Sequence, residues 1–168
     1  MIRLLLLFAI TLSVSCNSAQ NVSSKKMSAN DYSNSISSDV LKTHLYTFSD
    51  DKMEGRMTGE NGNNMAAEYL RNFYIDKGIE SPIEEKNYYQ SIPASYFNGG
   101  SNGNASQNVV AYIKGSEKPD ELIVLSAHYD HVGVKNGEVY NGADDDGSGT
   151  VSLIEIAKAF QKAKNEGN

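Results

Sequence analysis

Apolar residues recur along the chain at two spacings, one typical of helices and the other of buried strands. Residues 40–48 and 66–74 carry apolar side chains three or four positions apart, which is the spacing of one helix face. The same spacing returns later, at Leu153, Ile156, Ala157, Phe160 and Ala163. Apolar runs of strand length lie at residues 109–113 and 122–127, and residues 88–92 are a candidate edge strand. The pattern therefore predicts a mixed α/β domain.

The order of these elements indicates how they pack. Strands that alternate with helices favour a sheet covered by helices on both faces. Residues 122–127 have almost no polar face, which is typical of a central strand in a largely parallel sheet. We therefore expect a three-layer α/β/α sandwich with a mixed, largely parallel sheet.

The first 38 residues do not follow the domain pattern. Arg3 precedes an apolar stretch at residues 4–12, which is shorter than the roughly 20 residues that span a bilayer but has the length of a signal-peptide core. Cys16 follows, and it is the only cysteine. This arrangement resembles a bacterial lipoprotein signal, so we expect a signal peptide at residues 1–15 and a lipid anchor on Cys16. Ordinary secretion is the alternative.

The segment after Cys16 is rich in Ser and Asn and poor in apolar residues. We expect residues 16–38 to be a disordered tether and residues 39–168 to be the folded domain. The protein would then be exported and anchored to a membrane, in the periplasm or at the cell surface. The formal net charge of −6, without a basic stripe, argues against nucleic acid as a partner. No protein partner can be identified from the sequence.

Candidate chemistry is concentrated in residues 125–149. His128 and Asp130 follow the apolar run directly, and a Gly-rich loop leads to three consecutive carboxylates, Asp144, Asp145 and Asp146. Imidazole and carboxylate groups are ligands that divalent metals such as zinc accept. Adjacent carboxylates repel one another unless water or a positive group compensates them. The segment therefore predicts a metal site.

A calcium loop is one alternative for the acidic run. Residues 144–155 match the twelve positions of an EF-hand loop, with Asp144, Asp146 and Ser148 at the first three ligand positions and Glu155 at the last. An EF-hand also needs an entering helix, whereas residues 132–143 contain three glycines. Glu155 is also expected to lie on the exposed face of the last helix. A non-enzymatic, calcium-binding surface lipoprotein is therefore the less favoured hypothesis.

The combined motifs resemble the M28 family of zinc peptidases, which includes bacterial aminopeptidases. His-x-Asp at residues 128–130 is followed by Gly-Ala-Asp-Asp-Asp-Gly-Ser-Gly at residues 142–149. The upstream Met-Glu-Gly-Arg with Thr-Gly at residues 53–59, the helix at 66–70 and the strand at 106–112 are also similar to that family. The resemblance covers residues 39–168 and implies peptide substrates.

The resemblance also implies roles for individual residues. His128 would bind one zinc ion, and Asp145 would bridge two. Asp130, as a catalytic residue, would accept the other ring N–H of His128 and fix its tautomer. The peptide bond between Asp145 and Asp146 would be cis, and Asp144 and Asp146 would not be ligands. A zinc-activated water would then hydrolyse the substrate's peptide bond.

Other parts of the family site have no counterpart in this sequence. The resemblance places the general base, a Glu followed by a Glu ligand, on a later strand, with two further ligands beyond it. No Glu-Glu pair follows Asp145. We therefore expect the chain to be the N-terminal part of such a domain, ending after the helix that follows the acidic run, and to be inactive alone. A glutaminyl-cyclase-like relative, with one zinc on a similar scaffold, is a second alternative.

Two basic residues near these motifs have more ordinary interpretations. His131 could be a third ligand or could orient substrate, but ordinary loop hydrogen bonds are favoured. Arg56 could fix a carboxylate near the site or form a structural ion pair.

Overall fold

The computed structural model describes residues 27–98 and 101–167. The expected signal peptide and Cys16 lie outside the described residues. The four helices of the described residues are α1 (Ala29–Ser33), α2 (Ser38–Phe48), α3 (Asn61–Asp76) and α4 (Ser148–Asn165), and their four strands are β1 (Tyr89–Ile92), β2 (Ser106–Val109), β3 (Gly133–Lys135) and β4 (Glu138–Tyr140). The fold is therefore mixed α/β, as predicted. No helix within the described residues is both long and apolar enough to cross a bilayer.

The core lies between α2, α3 and α4. Phe48, Ala66 and Ile154 are fully buried, one from each helix. Ser37 caps α2 by accepting a hydrogen bond from the backbone N–H of Val40, and α3 ends before Gly78, whose φ of 65° is a left-handed value that favours glycine. The helices predicted from apolar spacing are thus present, and each extends beyond the predicted stripe.

The strands differ from the prediction. β1 pairs antiparallel with β2, and β3 pairs antiparallel with β4, each pair forming a separate two-stranded sheet. Residues 122–127 pair with no strand in the described part of the chain, and Ile123 and Val124 are 86% and 83% exposed. The three-layer sandwich with a largely parallel sheet is therefore not confirmed, because the described strands provide no parallel neighbour for this run.

The β3–β4 hairpin lies in the stretch that the sequence analysis assigned to a Gly-rich loop. Asn136 and Gly137 form its turn, with φ values of 53° and 82°. Asn-Gly between two residues of alternating pattern is a strong local signal for a tight hairpin turn. The hairpin was therefore predictable from residues 134–139, but the glycines of this stretch favoured a loop.

Helix α1 lies in the segment that the sequence analysis assigned to a tether. Ser28 and Asp31 cap it reciprocally, so its first backbone N–H groups have partners. Tyr32 is 8% exposed, and its hydroxyl donates to Glu166 Oε2 at 2.7 Å. The chain therefore packs against α4 from before residue 39.

Candidate metal centre

The backbone of His128 is held at the start of α4. Its carbonyl oxygen accepts a hydrogen bond from Thr150 Oγ1 at 2.8 Å, and its N–H donates to Asp146 Oδ2 at 3.3 Å. Both partners belong to the acidic turn or to the first residues of α4. These bonds bring the imidazole, from one part of the chain, next to the carboxylates from another.

The two ring nitrogens of His128 both face oxygen atoms. Nε2 lies 3.0 Å from Asp145 Oδ1, and Nδ1 lies 3.1 Å from the backbone carbonyl oxygen of Asp130 and 3.4 Å from its Oδ1. A neutral imidazole has one N–H, so it can donate on one side only. When Nδ1 donates to Asp130, the lone pair of Nε2 faces the negatively charged carboxylate of Asp145. A proton or a metal cation between these two atoms would remove this repulsion.

The facing pair has the dimensions of two zinc ligands. Ligand atoms about 2.0–2.1 Å from a tetrahedral zinc lie about 3.3 Å apart. The separation of 3.0 Å between His128 Nε2 and Asp145 Oδ1 needs to widen only slightly to match. Within residues 27–98 and 101–167, no group of three or more His, Cys, Asp or Glu side chains is arranged to hold a metal ion. By its separation the pair fits two ligands of a zinc site, but the described residues supply no complete site.

The electrostatics of His128 agree with a cation at this place. Desolvation by burial lowers its pKa, but the hydrogen bond to the Asp130 backbone and the charges of Asp130, Asp145 and Asp146 together outweigh it. The pKa of His128 is therefore raised above its ordinary value. The surroundings stabilise positive charge at the imidazole.

Asp130 is shared between His128 and a residue that the sequence analysis did not assign to the site. Thr58 Oγ1 donates to Asp130 Oδ2 at 2.6 Å. The other oxygen, Oδ1, is the one that lies 3.4 Å from His128 Nδ1. The nearer acceptor of Nδ1 is the backbone carbonyl of Asp130, so both its main chain and its side chain face the imidazole. The sequence analysis included Thr58 in the upstream motif of residues 53–59 but gave it no role in the site.

The three consecutive aspartates have different surroundings. Asp144 is exposed, and the side chain of Asp145 is 72% exposed next to His128. Asp146 accepts hydrogen bonds from the backbone N–H groups of Gly149, at 3.1 Å, and His128. The peptide bond between Asp145 and Asp146 is cis, as the resemblance implied. One carboxylate thus faces the imidazole, and another accepts a backbone N–H in the first turn of α4.

A second imidazole lies beside Asp145. His131 Nδ1 is 3.7 Å from Asp145 Oδ2, and the His131 side chain is 15% exposed. A Cβ on Gly142 would lie 2.4 Å from the ring carbon Cγ of His131, and φ at Gly142 is +53°. Only glycine fits this position without displacing His131 or the backbone.

Arg56 contacts carbonyl groups rather than carboxylates. It is fully buried, and it makes no ion pair within the described residues. Its guanidinium donates to four backbone carbonyl oxygens, those of Phe48, Tyr129, Asn141 and Gly142. Desolvation lowers the pKa of Arg56, and the charge of Asp130 partly opposes this shift. Neither interpretation of Arg56 from the sequence describes these contacts.

The calcium-loop hypothesis does not fit the structure. Residues 148–155 belong to α4, so the last eight positions of the proposed loop are helical. Glu155 is 1% exposed, not exposed as predicted, and it contacts His44 Nε2 at 3.2 Å and Lys158 Nζ at 2.7 Å. Glu155 is therefore engaged between α2 and α4, where it cannot complete a loop with Asp144.

The same region of the chain is similar to known peptidases. Residues 108–167 match the model of Peptidase family M28. The chain is 43% identical over 60 residues to the "Glutamate carboxypeptidase 2 homolog" of Caenorhabditis elegans, and this match covers 36% of the chain and 7% of the relative. It is 28% identical over 109 residues to "Leucine aminopeptidase 1" of Trichoderma harzianum, covering 64% of the chain and 24% of the relative.

A third relative has zinc in its name. The chain is 45% identical over 56 residues to a "Probable zinc metalloprotease" of Pyricularia oryzae, and the match covers 32% of the chain and 11% of the relative. The chain thus spans less than a quarter of the length of these relatives. No solved structure gives a significant match. The resemblance to M28 peptidases is confirmed, and the matches support a peptidase function.

Proposed function

We propose that the protein is a zinc-dependent exopeptidase of the M28 type, with aminopeptidase activity on peptide substrates. The observation that carries this proposal is the pairing of His128 Nε2 with Asp145 Oδ1 at 3.0 Å. The pair lies within the residues that match the family, and the relatives' names include an aminopeptidase and a zinc metalloprotease.

Each site residue has a distinct role in this proposal. His128 and Asp145 would hold zinc, and the family resemblance implies that Asp145 would also bind a second ion. The second oxygen of Asp145, Oδ2, lies 3.7 Å from His131 Nδ1. Asp130 keeps the proton of His128 on Nδ1, which leaves Nε2 free as a ligand. When bound, zinc supplies Lewis-acid chemistry that activates water and polarises a carbonyl group.

The described residues supply only part of such a site. A catalytic zinc generally takes about three protein ligands besides water. His128 and Asp145 are two, and in the described part of the chain no group of three or more His, Cys, Asp or Glu side chains is arranged to hold a metal ion. We therefore propose that the 168-residue chain does not hydrolyse peptides alone. We also propose that residues 122–127 occupy a central place in a largely parallel, three-layer sheet in the complete domain.

Export and anchoring form a separate part of the proposal. The lone Cys16 after an apolar stretch supports a lipid on its sulfur, with the enzyme on the outer side of a membrane. Mass spectrometry of the mature N-terminus tests this. A lipid-modified Cys16 is expected, and an unmodified terminus well beyond residue 16 would contradict it.

Hydrolysis by the protein made from its natural reading frame tests the activity. Leucine p-nitroanilide reports aminopeptidase turnover, and a peptide with N-terminal glutamine reports cyclisation through ammonia release. We expect zinc-dependent hydrolysis that is lost in His128→Ala and Asp145→Ala and retained in the matched control Asp144→Ala. Cyclisation without hydrolysis would favour the glutaminyl-cyclase-like alternative, and equal activity in all three variants would contradict the assigned ligands.

A further inference from the structure

A buried arginine connects the two chain segments that carry the proposed ligands. Arg56 Nε donates to the carbonyl oxygen of Tyr129 at 2.7 Å. Its Nη1 donates to the carbonyl of Asn141 at 2.7 Å, and its Nη2 to that of Gly142 at 2.9 Å. Tyr129 follows His128 directly, and Gly142 lies three residues before Asp145. The guanidinium thus holds the main chain just after His128 and just before Asp145, the two proposed ligands.

The local backbone fixes where this guanidinium lies. Glu54, Gly55 and Arg56 have φ values of 52°, 61° and 54°, three consecutive left-handed residues. The backbone carbonyl of Arg56 accepts a hydrogen bond from the N–H of His131 at 3.1 Å. The main chain and the side chain of Arg56 therefore both contact the segment after His128.

Further contacts hold the side chain of Arg56. Nη1 also donates to the carbonyl of Phe48 at 2.7 Å, and the guanidinium carbon lies 4.6 Å from the centre of the Phe48 ring. A buried guanidinium costs desolvation energy, which charge-assisted hydrogen bonds and the aromatic ring offset. A planar fork with five donors can serve several carbonyls at once, whereas a lysine ammonium cannot reproduce this geometry.

Resting on the proposed function, we propose that Arg56 is a positioning residue that sets the separation of His128 and Asp145 by holding the carbonyls of Tyr129, Asn141 and Gly142. The residue touches neither metal nor substrate. It acts on zinc affinity because the ligand pair in the metal-free protein already lies close to its bound separation. Loosening either segment adds a reorganisation cost to metal binding.

The first test replaces the fork and keeps the charge. In the protein from its natural reading frame, Arg56→Lys is expected to weaken zinc binding by about 10-fold to 100-fold, the usual effect of losing a group that orients metal ligands. Zinc affinity is measured by competition with a chromophoric chelator, and the cobalt-substituted protein reports ligand geometry through its visible absorption bands. A shifted cobalt spectrum is expected, because a purely structural role would lower stability without changing the site of folded molecules.

A matched control is available on α3. Arg71 also donates to a backbone carbonyl, that of Lys86 at 3.1 Å, and to the side chain of Asn72 at 3.3 Å. Arg71→Lys makes the same chemical change without contact to either ligand segment. It is expected to retain the wild-type zinc affinity and cobalt spectrum.

A milder variant covers the case in which Arg56→Lys does not fold. Phe48→Leu keeps the backbone carbonyl and removes the aromatic ring beside the guanidinium, so we expect about a 3-fold loss of zinc affinity. Unchanged affinity in every folded Arg56 and Phe48 variant, with a wild type that binds zinc, would overturn the role of Arg56 alone. A wild type that binds no zinc through His128 and Asp145 would overturn both proposals.

Discussion

Replacing each of the three consecutive aspartates by alanine should give three different results. The substitution is chemically the same at Asp144, Asp145 and Asp146, so each variant is a control for the others. Their contacts differ: Asp144 makes no side-chain hydrogen bond or ion pair in the described part of the chain, Asp145 faces His128, and Asp146 accepts two backbone N–H groups. The series separates a solvated group, a proposed metal ligand and an acceptor of backbone N–H groups at the start of α4.

The expected magnitudes follow from these contacts. Losing the acceptor of a backbone N–H in the first turn of a helix costs about 1 kcal/mol, and a hydrogen bond to a charged acceptor contributes about 1.5–3 kcal/mol. The bond from His128 N–H to Asp146 is long at 3.3 Å, so we take the lower end for it. Asp146→Ala should therefore lower the free energy of unfolding of the metal-free protein by about 2.5 kcal/mol. Asp144→Ala should change it by less than about 0.5 kcal/mol.

Asp145→Ala should affect metal binding rather than folding. Its side chain is 72% exposed, and an exposed ion pair contributes about 0–1 kcal/mol to stability. Urea unfolding of chelator-treated protein measures stability, and chelator competition measures zinc affinity. With a typical urea dependence, Asp146→Ala should shift the midpoint by about 1 M. Zinc loss in Asp144→Ala, or unchanged stability in Asp146→Ala, would refute the assignment.

Further predictions concern the surroundings of the site and the domain. Gly142→Ala should reduce both stability and zinc affinity, because the added Cβ would lie 2.4 Å from a ring carbon of His131; equal zinc affinity in a calorimetric titration would contradict this. Burial raises the pKa of Tyr74 to about 12, so the stability that its neutral form contributes is present below pH 10 and is lost between pH 10 and 12. Between pH 10 and 12 the unfolding free energy of Tyr74→Phe should fall less steeply with pH than that of the wild type, by up to about 1.4 kcal/mol per pH unit. An equal slope in the two proteins would contradict this prediction. The 168-residue chain should self-associate through its exposed apolar run, and sedimentation should show fewer aggregates after Ile123→Lys with Val124→Lys.

Local patterns in the sequence were sufficient for helices α2, α3 and α4 and for the proximity of His128 and Asp145. The stripes at residues 40–48 and 66–74 lie in α2 and α3, since each helix buries one face. The facing arrangement of His128 and Asp145 followed from motifs shared with a family. Both features depend on residues close together in sequence or on a recognisable spacing.

Features that depend on distant segments were not predictable in the same way. Arg56 binds carbonyls from three separate segments, and a carbonyl acceptor leaves no residue-type signal. Glu155 was placed outside because one apolar stripe was assumed for α4, whereas α1, α2 and α3 all contact that helix. The parallel sheet was inferred from the apolarity of residues 122–127, which does not specify a pairing partner.

Anomalous diffraction at the zinc edge, from crystals of the zinc-loaded protein made from its natural reading frame, tests the central claim most directly. The account predicts a zinc ion within about 2.0–2.2 Å of both His128 Nε2 and an Asp145 carboxylate oxygen. Zinc bound elsewhere, with neither of these atoms as a ligand, would contradict it.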